Sequence, residues 1–302
     1  MKTIGYFLIA FVLFSCGTKT KEKSQEKESK SEITILKEVE KLAGDFKFTE
    51  GPAADVQGNV YFTDIPENKI YIWTLEDSLK TYREESNGAN GLYFDEDQNL
   101  WTCEGGKLRI TRTSPEGEYT PIATQYNEKE FNRTNDIWIN PKGGAYFTDP
   151  KYGNDQDQLP QGSMQVYYIS SDNNSVSRVT EDLIKPNGLI GTPDGKTLYI
   201  TDPGAEKTYQ YTIENDGQLS DKKLFVEFGG DGMTIDEQGN VYLTTSGKPQ
   251  VDIFSPQGEL LKTIKVPEQP SNVSFGGKER NQLYITARTS LYRVELNKSG
   301  VN

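Results

Sequence analysis

The chain contains no histidine. That absence removes Ser-His-Asp triads, Cys-His pairs and His-ligated zinc sites from consideration. Acid–base work must fall to Asp, Glu, Lys, Tyr or Cys. Cysteine is nearly absent, with only Cys16 and Cys103 in 302 residues. Cys16 ends an N-terminal apolar stretch, so Cys103 stands alone in the folded part and no disulfide framework is expected. Basic residues are outnumbered, 33 Lys+Arg against 45 Asp+Glu, for a formal net charge of -12. A nucleic-acid partner needs a basic face to displace counterions from phosphate, and none is expected here. Helical 3.6-residue patterns between strands are also missing, which argues against a TIM barrel.

The apolar stretch, residues 4–14, is too short for an ordinary membrane-spanning helix, which needs about 20 residues. With Lys2 before it and the small Ser15 behind it, it reads as an export signal. Leu13-Phe14-Ser15-Cys16 resembles a bacterial lipobox, with Cys16 the lipidated first residue of the mature chain. A plain secretory signal with an incidental cysteine is the alternative. Residues 17–32, GTKTKEKSQEKESKSE, offer almost no apolar side chain to offset ordering entropy and read as a flexible tether. The expected organisation is a signal over 1–16, a tether over 17–32 and one globular domain over 33–302. The expected location is the cell envelope, with the membrane reached through the lipid anchor alone, and the expected state is a monomer.

Aromatic residues make up 11% of the chain, including 17 Tyr and 13 Phe, beside 28 Gly, which favours strands joined by tight turns. One pattern recurs: GNVYFTD (58–64), QNLWTCE (98–104), GGAYFTD (143–149), KTLYITD (196–202), GNVYLTT (239–245) and NQLYITA (281–287). Measured at Val60, Leu100, Ala145, Leu198, Val241 and Leu283, the steps are 40, 45, 53, 43 and 42 residues. About ten residues upstream of each lies a second signature, opened by Glu50, Asn90, Asn135, Asn187, Asp231 and Asn272. Repeats of this length built from short strands predict an all-β, six-bladed β-propeller. The sixth unit offers three strands, and residues 33–42 are the candidate for the fourth. The longest insertion, residues 152–163, reads as a loop that could cover a site.

Equivalent positions on the innermost strands of a propeller form a ring around its axis. Here the ring holds two carboxylates and four amides, a hard-oxygen set that suits Ca²⁺ best, with Mg²⁺ or Mn²⁺ possible. For each residue alone, turn punctuation is the competing explanation, since Asn-Gly and Asp-Gly are common turn dipeptides. Six in register, one of them a glutamate, favour a site. Asn90 and Asn272 are expected nearer to supporting roles. Asp64, Asp149 and Asp202, each following a Thr, read as turn-capping or blade-closing acids.

These stretches, in order, resemble the family that joins senescence marker protein (regucalcin), gluconolactonase and the luciferin-regenerating enzyme. FTEGPAAD (48–55), LWTCEGGKLRITR (100–112), TNDIWINPKGGAYFTDPKYG (134–153), KPNGLIGTPDGKTLYITD (185–202) and DGMTIDEQGNVYLTT (231–245) carry the resemblance, with PSNVSFGG (270–277) and LYITARTSLYRV (283–294). It implies one catalytic divalent cation, Ca²⁺ first and Mg²⁺, Mn²⁺ or Zn²⁺ otherwise, held by Glu50, Asn187 and Asp231. Asn135 matches an asparagine that ligates the metal or contacts substrate. Asp231 matches the proposed general base, and Arg133 a substrate-binding arginine. Glu104 is expected at the substrate too, in the stretch Cys103-Glu104-Gly105-Gly106-Lys107. There the bacterial pattern Cys-x-His-Gly-Arg has its histidine replaced by Gly105. The implied activity is metal-dependent hydrolysis of a sugar lactone to the aldonic acid. Hydrolysis of another ester or phosphoester, and a non-catalytic ligand-binding propeller, are the alternatives.

Overall fold

Each repeat folds into a four-stranded antiparallel sheet, and six such sheets make the all-β propeller. The computed structural model describes Met1, residues 32–152 and residues 158–301. The lipobox cysteine, most of the tether and part of the 152–163 insertion lie outside these residues. Thr34–Asn302 form one compact unit. Among the described residues no helix is long and apolar enough to cross a membrane.

Local chemistry explains the hairpins. In the turn of the first blade the Asp55 carboxylate accepts hydrogen bonds from the backbone N–H groups of Gln57, Gly58 and Asn59 at 2.9–3.0 Å. Gly58 takes φ +101°, a conformation that only glycine adopts cheaply. Asp236 plays the same part in the fifth blade, accepting from Gln238 and Asn240 at 2.9 Å. The second strands that follow, such as Val60–Asp64 and Ala145–Asp149, are almost wholly buried. Their aromatics fill the space within and between blades: Phe147 lies 5.0 Å from Phe131 and 5.5 Å from Tyr167, ring centroid to centroid.

The sixth blade is completed from the other end of the chain. Its innermost strand is Asn272–Gly276, followed outward by Gln282–Ala287 and Ser290–Leu296. The N-terminal strand Ile35–Ala43 pairs antiparallel with Ser290–Leu296 as the outermost strand. Arg293 fastens the seam, donating from Nε and Nη2 to Glu40 at 2.8 and 2.7 Å and from Nη1 to Asp77 of the first blade at 2.8 Å.

Candidate metal and substrate site

The six ring residues stand where the innermost strands converge. Backbone hydrogen bonds link neighbouring blades at these positions. Gly91 donates to the Asn135 carbonyl at 2.7 Å, Gly188 to the Asp231 carbonyl at 2.7 Å, and Gly232 to the Ser271 carbonyl at 2.8 Å. The glycine that follows four of the six ring residues, Gly51, Gly91, Gly188 and Gly232, is therefore not turn punctuation. A Cβ on Gly188 would stand 2.3 Å from the Asp231 carbonyl oxygen, and one on Gly51 would stand 2.0 Å from that of Asn90. In those four blades glycine lets the backbone close on the next blade around the axis.

One end of the axis opens into a cavity of about 300 Å³. Glu50, Asn90, Asn135, Asn187 and Asp231 line it, with Arg133, Tyr152, Phe48 and Ile65. Glu50 is buried; its Oε2 accepts from Gly51 N at 2.8 Å and from Asn272 Nδ2 at 3.1 Å. Asn272 is thus a support for Glu50 and is not among the lining residues. Asn187 Nδ2 donates to Asp231 Oδ1 at 2.5 Å and to the Tyr152 hydroxyl oxygen at 2.7 Å. Asn135 is held by its backbone, donating N–H to the Thr148 carbonyl at 3.0 Å.

Burial dominates the electrostatics. It lifts the Glu50 carboxyl well above the usual range, and the charges of Asp231 and Asp136 add to the effect. Burial also raises Asp231 to about 7; the Asn187 hydrogen bond and then the charge of Arg288 oppose it. Asp136 is raised to about 7 for the same first reason. Buried acids that repel one another are unfavourable unless a cation offsets them. The donor chemistry fits a hard divalent cation: two carboxylates with amide oxygens nearby, no imidazole and no thiolate. Among the described residues no group of three or more His, Cys, Asp or Glu side chains is placed to hold a metal, so any set must include the amides.

Two residues at the site were not anticipated. Tyr152 stands beside Asn187, and its sequence signal was only its place at the start of the third-unit insertion. Asp136 is buried, does not line the cavity, and is near enough for its charge to act on Glu50; its Oδ1 accepts from Ile137 N at 3.0 Å. It follows Asn135 directly, and only the convergence of strands on the axis brings it near Glu50. Glu104 requires a correction. It is fully buried and is not among the residues lining the cavity. Arg109 Nε donates to its Oε2 at 2.9 Å, and the Tyr119 hydroxyl to Oε1 at 2.7 Å; Thr111 and Asn87 also donate to it. Arg83 is 3.6 Å away. Its carboxylate is consumed inside the second blade. Glu104 ends the second strand of that blade, as Asp64, Asp149 and Asp202 end theirs. Those three accept from the backbone N–H groups of residues 47 and 48, 132 and 133, and 184 and 185 respectively. They anchor the segment that enters each innermost strand, as blade-closing acids do.

The propeller and its axial cavity define the class, and comparison with known proteins gives the family. The model of the SMP-30/gluconolactonase/LRE-like region matches residues 48–289, and the chain belongs to this family. A gluconolactonase from Zymomonas mobilis is 28% identical over 301 residues, covering 89% of this chain and 84% of the relative. The structure of a gluconolactonase from Xanthomonas campestris superposes with a TM-score of 0.79 at 27% identity, covering 85% of this chain and 89% of that one. A calcium-binding regucalcin from Agrobacterium tumefaciens shares the fold, with a TM-score of 0.74 at 18% identity over 88% of this chain and 96% of its own.

Proposed function

We propose that the chain is a metal-dependent hydrolase that opens a sugar lactone to its aldonic acid. The observation that carries this reading is the cavity itself: Glu50 and Asp231 face one space of about 300 Å³ together with Asn135, Asn187 and Arg133. Membership of the family, and gluconolactonases among relatives similar over most of the chain, support it. Glu50, Asn187 and Asp231, with Asn135 adjacent, would hold one divalent cation, Ca²⁺ before Mg²⁺, Mn²⁺ or Zn²⁺. Such a cation supplies Lewis-acid polarisation of the lactone carbonyl and offsets charge that develops on its oxygen.

The chain's own residues do the rest. Asp231 takes the proton from the attacking water. Asn187 orients Asp231 through its amide, and Tyr152 in turn holds Asn187. Asn272 orients Glu50. Arg133 and Asn135 hold the sugar hydroxyls and fix the ring for attack. The test is acid release from a panel of aldonolactones, corrected for spontaneous opening, with and without a chelator. Catalysed opening that a chelator abolishes and Ca²⁺ restores is expected. No catalysed opening with any of the four cations would overturn the reading.

A further inference from the structure

One side of the axial cavity is made of hydrocarbon. Among the described residues that line it, Phe48 and Ile65 alone carry no polar side-chain atom. Both belong to the first blade and both are half-buried. Phe48 leads into the innermost strand Thr49–Ala54, and Ile65 follows the second strand Val60–Asp64. Ile65 N–H donates to the Phe48 carbonyl at 3.1 Å, so the two residues stand side by side on neighbouring strand ends. Asp64 Oδ1 accepts from Phe48 N–H at 3.1 Å and fixes the segment. Arg288, whose charge acts on Asp231, also packs its guanidinium 5.5 Å from the Phe48 ring centroid, which restrains the ring.

The fold itself does not demand this wall. Arg133 stands in the third blade where Phe48 stands in the first: each lies two residues before its ring residue. Asp149 Oδ1 accepts from Arg133 N–H at 2.8 Å as Asp64 does from Phe48. The same backbone position therefore carries a guanidinium in one blade and a phenyl ring in another. The second blade lies between them around the axis. A lactone whose hydroxyls meet Arg133 and Asn135 turns a different edge toward Phe48 and Ile65. A hydroxyl set against that wall gives up water and gains no partner, whereas a methyl group leaves water at no such cost.

We propose that the Phe48–Ile65 wall selects sugar lactones with an apolar edge, deoxy lactones that end in a methyl group, over fully hydroxylated ones. This deepens the lactonase reading above and rests on it. One methyl-sized group in a hydrophobic pocket is worth about 10–200-fold in selectivity. The wall bounds the cavity on one side only, so the lower end of that range applies.

Gluconolactone and galactonolactone, each beside its 6-deoxy counterpart, test this, because the members of a pair differ only in hydroxymethyl against methyl. With the metal-loaded protein, kcat/KM is expected to favour each deoxy lactone about tenfold. The difference should lie mainly in KM, since the wall meets a group that does not react. Ile65→Thr keeps the branched shape and adds a hydroxyl, and Phe48→Gln replaces the ring by an amide. Each is expected to cut the ratio about threefold or more, while Phe48→Leu retains most of it. A wild-type ratio near one overturns the proposal. So does an unmoved ratio in both polar variants when their circular dichroism matches wild type. If neither variant folds, the wild-type ratio decides alone. Equal opening of both members of each pair ends the selectivity and leaves the lactonase intact. If no lactone is opened, the lactonase reading fails and calorimetry with the ring-opened acids decides the wall's preference. Tighter binding of 6-deoxygluconate than of gluconate upholds it, and equal binding ends it.

Discussion

Glu50 and Asp231 each present a carboxyl group to the same cavity, and each has an amide isostere of nearly equal size. Glu50→Gln and Asp231→Asn should weaken Ca²⁺ binding more than about 100-fold and abolish lactone turnover, since loss of a ligand exceeds the 10–100-fold cost of losing a ligand's supporting partner. Calorimetry that finds wild-type affinity in both variants would refute the ligand assignment. Gly105 sits against Arg133: an added Cβ would lie 3.2 Å from its Cγ and 3.1 Å from the Thr134 carbonyl oxygen. Gly105→Ala should therefore displace Arg133 and raise KM about threefold to tenfold with metal affinity retained, and Arg133→Ala should raise it further. Steady-state kinetics beside calorimetry read both quantities; a Gly105→Ala enzyme with unchanged KM would remove Arg133 from substrate binding. The ring residues were legible because a repeat forces equivalent positions onto one axis. Tyr152 and Asp136 were not, because a contact made by convergence of separate blades leaves no local pattern. Glu104 was misplaced for a related reason. Sequence sets it beside the position of the family histidine, yet its strand register turns it toward Arg109.

Blade boundaries depend on backbone approach more than on side chains. Gly51 combines φ +50° with a carbonyl oxygen 2.0 Å from where its Cβ would be. Gly51→Ala should cost more than about 3 kcal/mol, through positive-φ strain and a clash that neither backbone can relieve alone. Chemical denaturation is the measurement, and a loss below about 1 kcal/mol would show that the blades can part there. At this scale the sequence was at its most readable. The turn acids, the buried aromatic strands and the need for residues 33–42 to complete the last blade all follow from period and polarity. Their register does not: the first blade carries a bulge between Glu50 and Ala53 that neither period nor polarity marks.

For the molecule as a whole, the buried acids tie stability to pH. Asp136 and Asp231 have folded values of about 7 against an ordinary 3.8. Between those values the fold keeps protons that the unfolded chain has released. Stability of the metal-free protein should therefore fall as pH rises from about 4 to about 7 and level off above. With the ligand set proposed above, Ca²⁺ would bind the ionised form and should stabilise by about 2.7 kcal/mol at a hundredfold excess over Kd. The rise in Tm on adding Ca²⁺ should be larger near pH 8 than near pH 5, and the reverse ordering in scanning calorimetry would contradict the assignment. The lipobox-like stretch at residues 13–16 makes its own prediction. Cys16→Ser should shift the protein from the membrane fraction to a soluble or unprocessed form; a wild-type protein that fractionates as freely soluble would rule out the anchor.

The seam in the sixth blade also sets an order in time. Glu40 meets Arg293 across 253 residues of chain, so the first strand to leave the ribosome waits for the last. Five blades can zip up as local hairpins while synthesis proceeds, but the circle has no closed form until its final strand exists. Loop closure of this span makes the final step slow relative to hairpin formation. Until then the nascent chain is an open arc whose first and last blades each leave a strand edge unpaired.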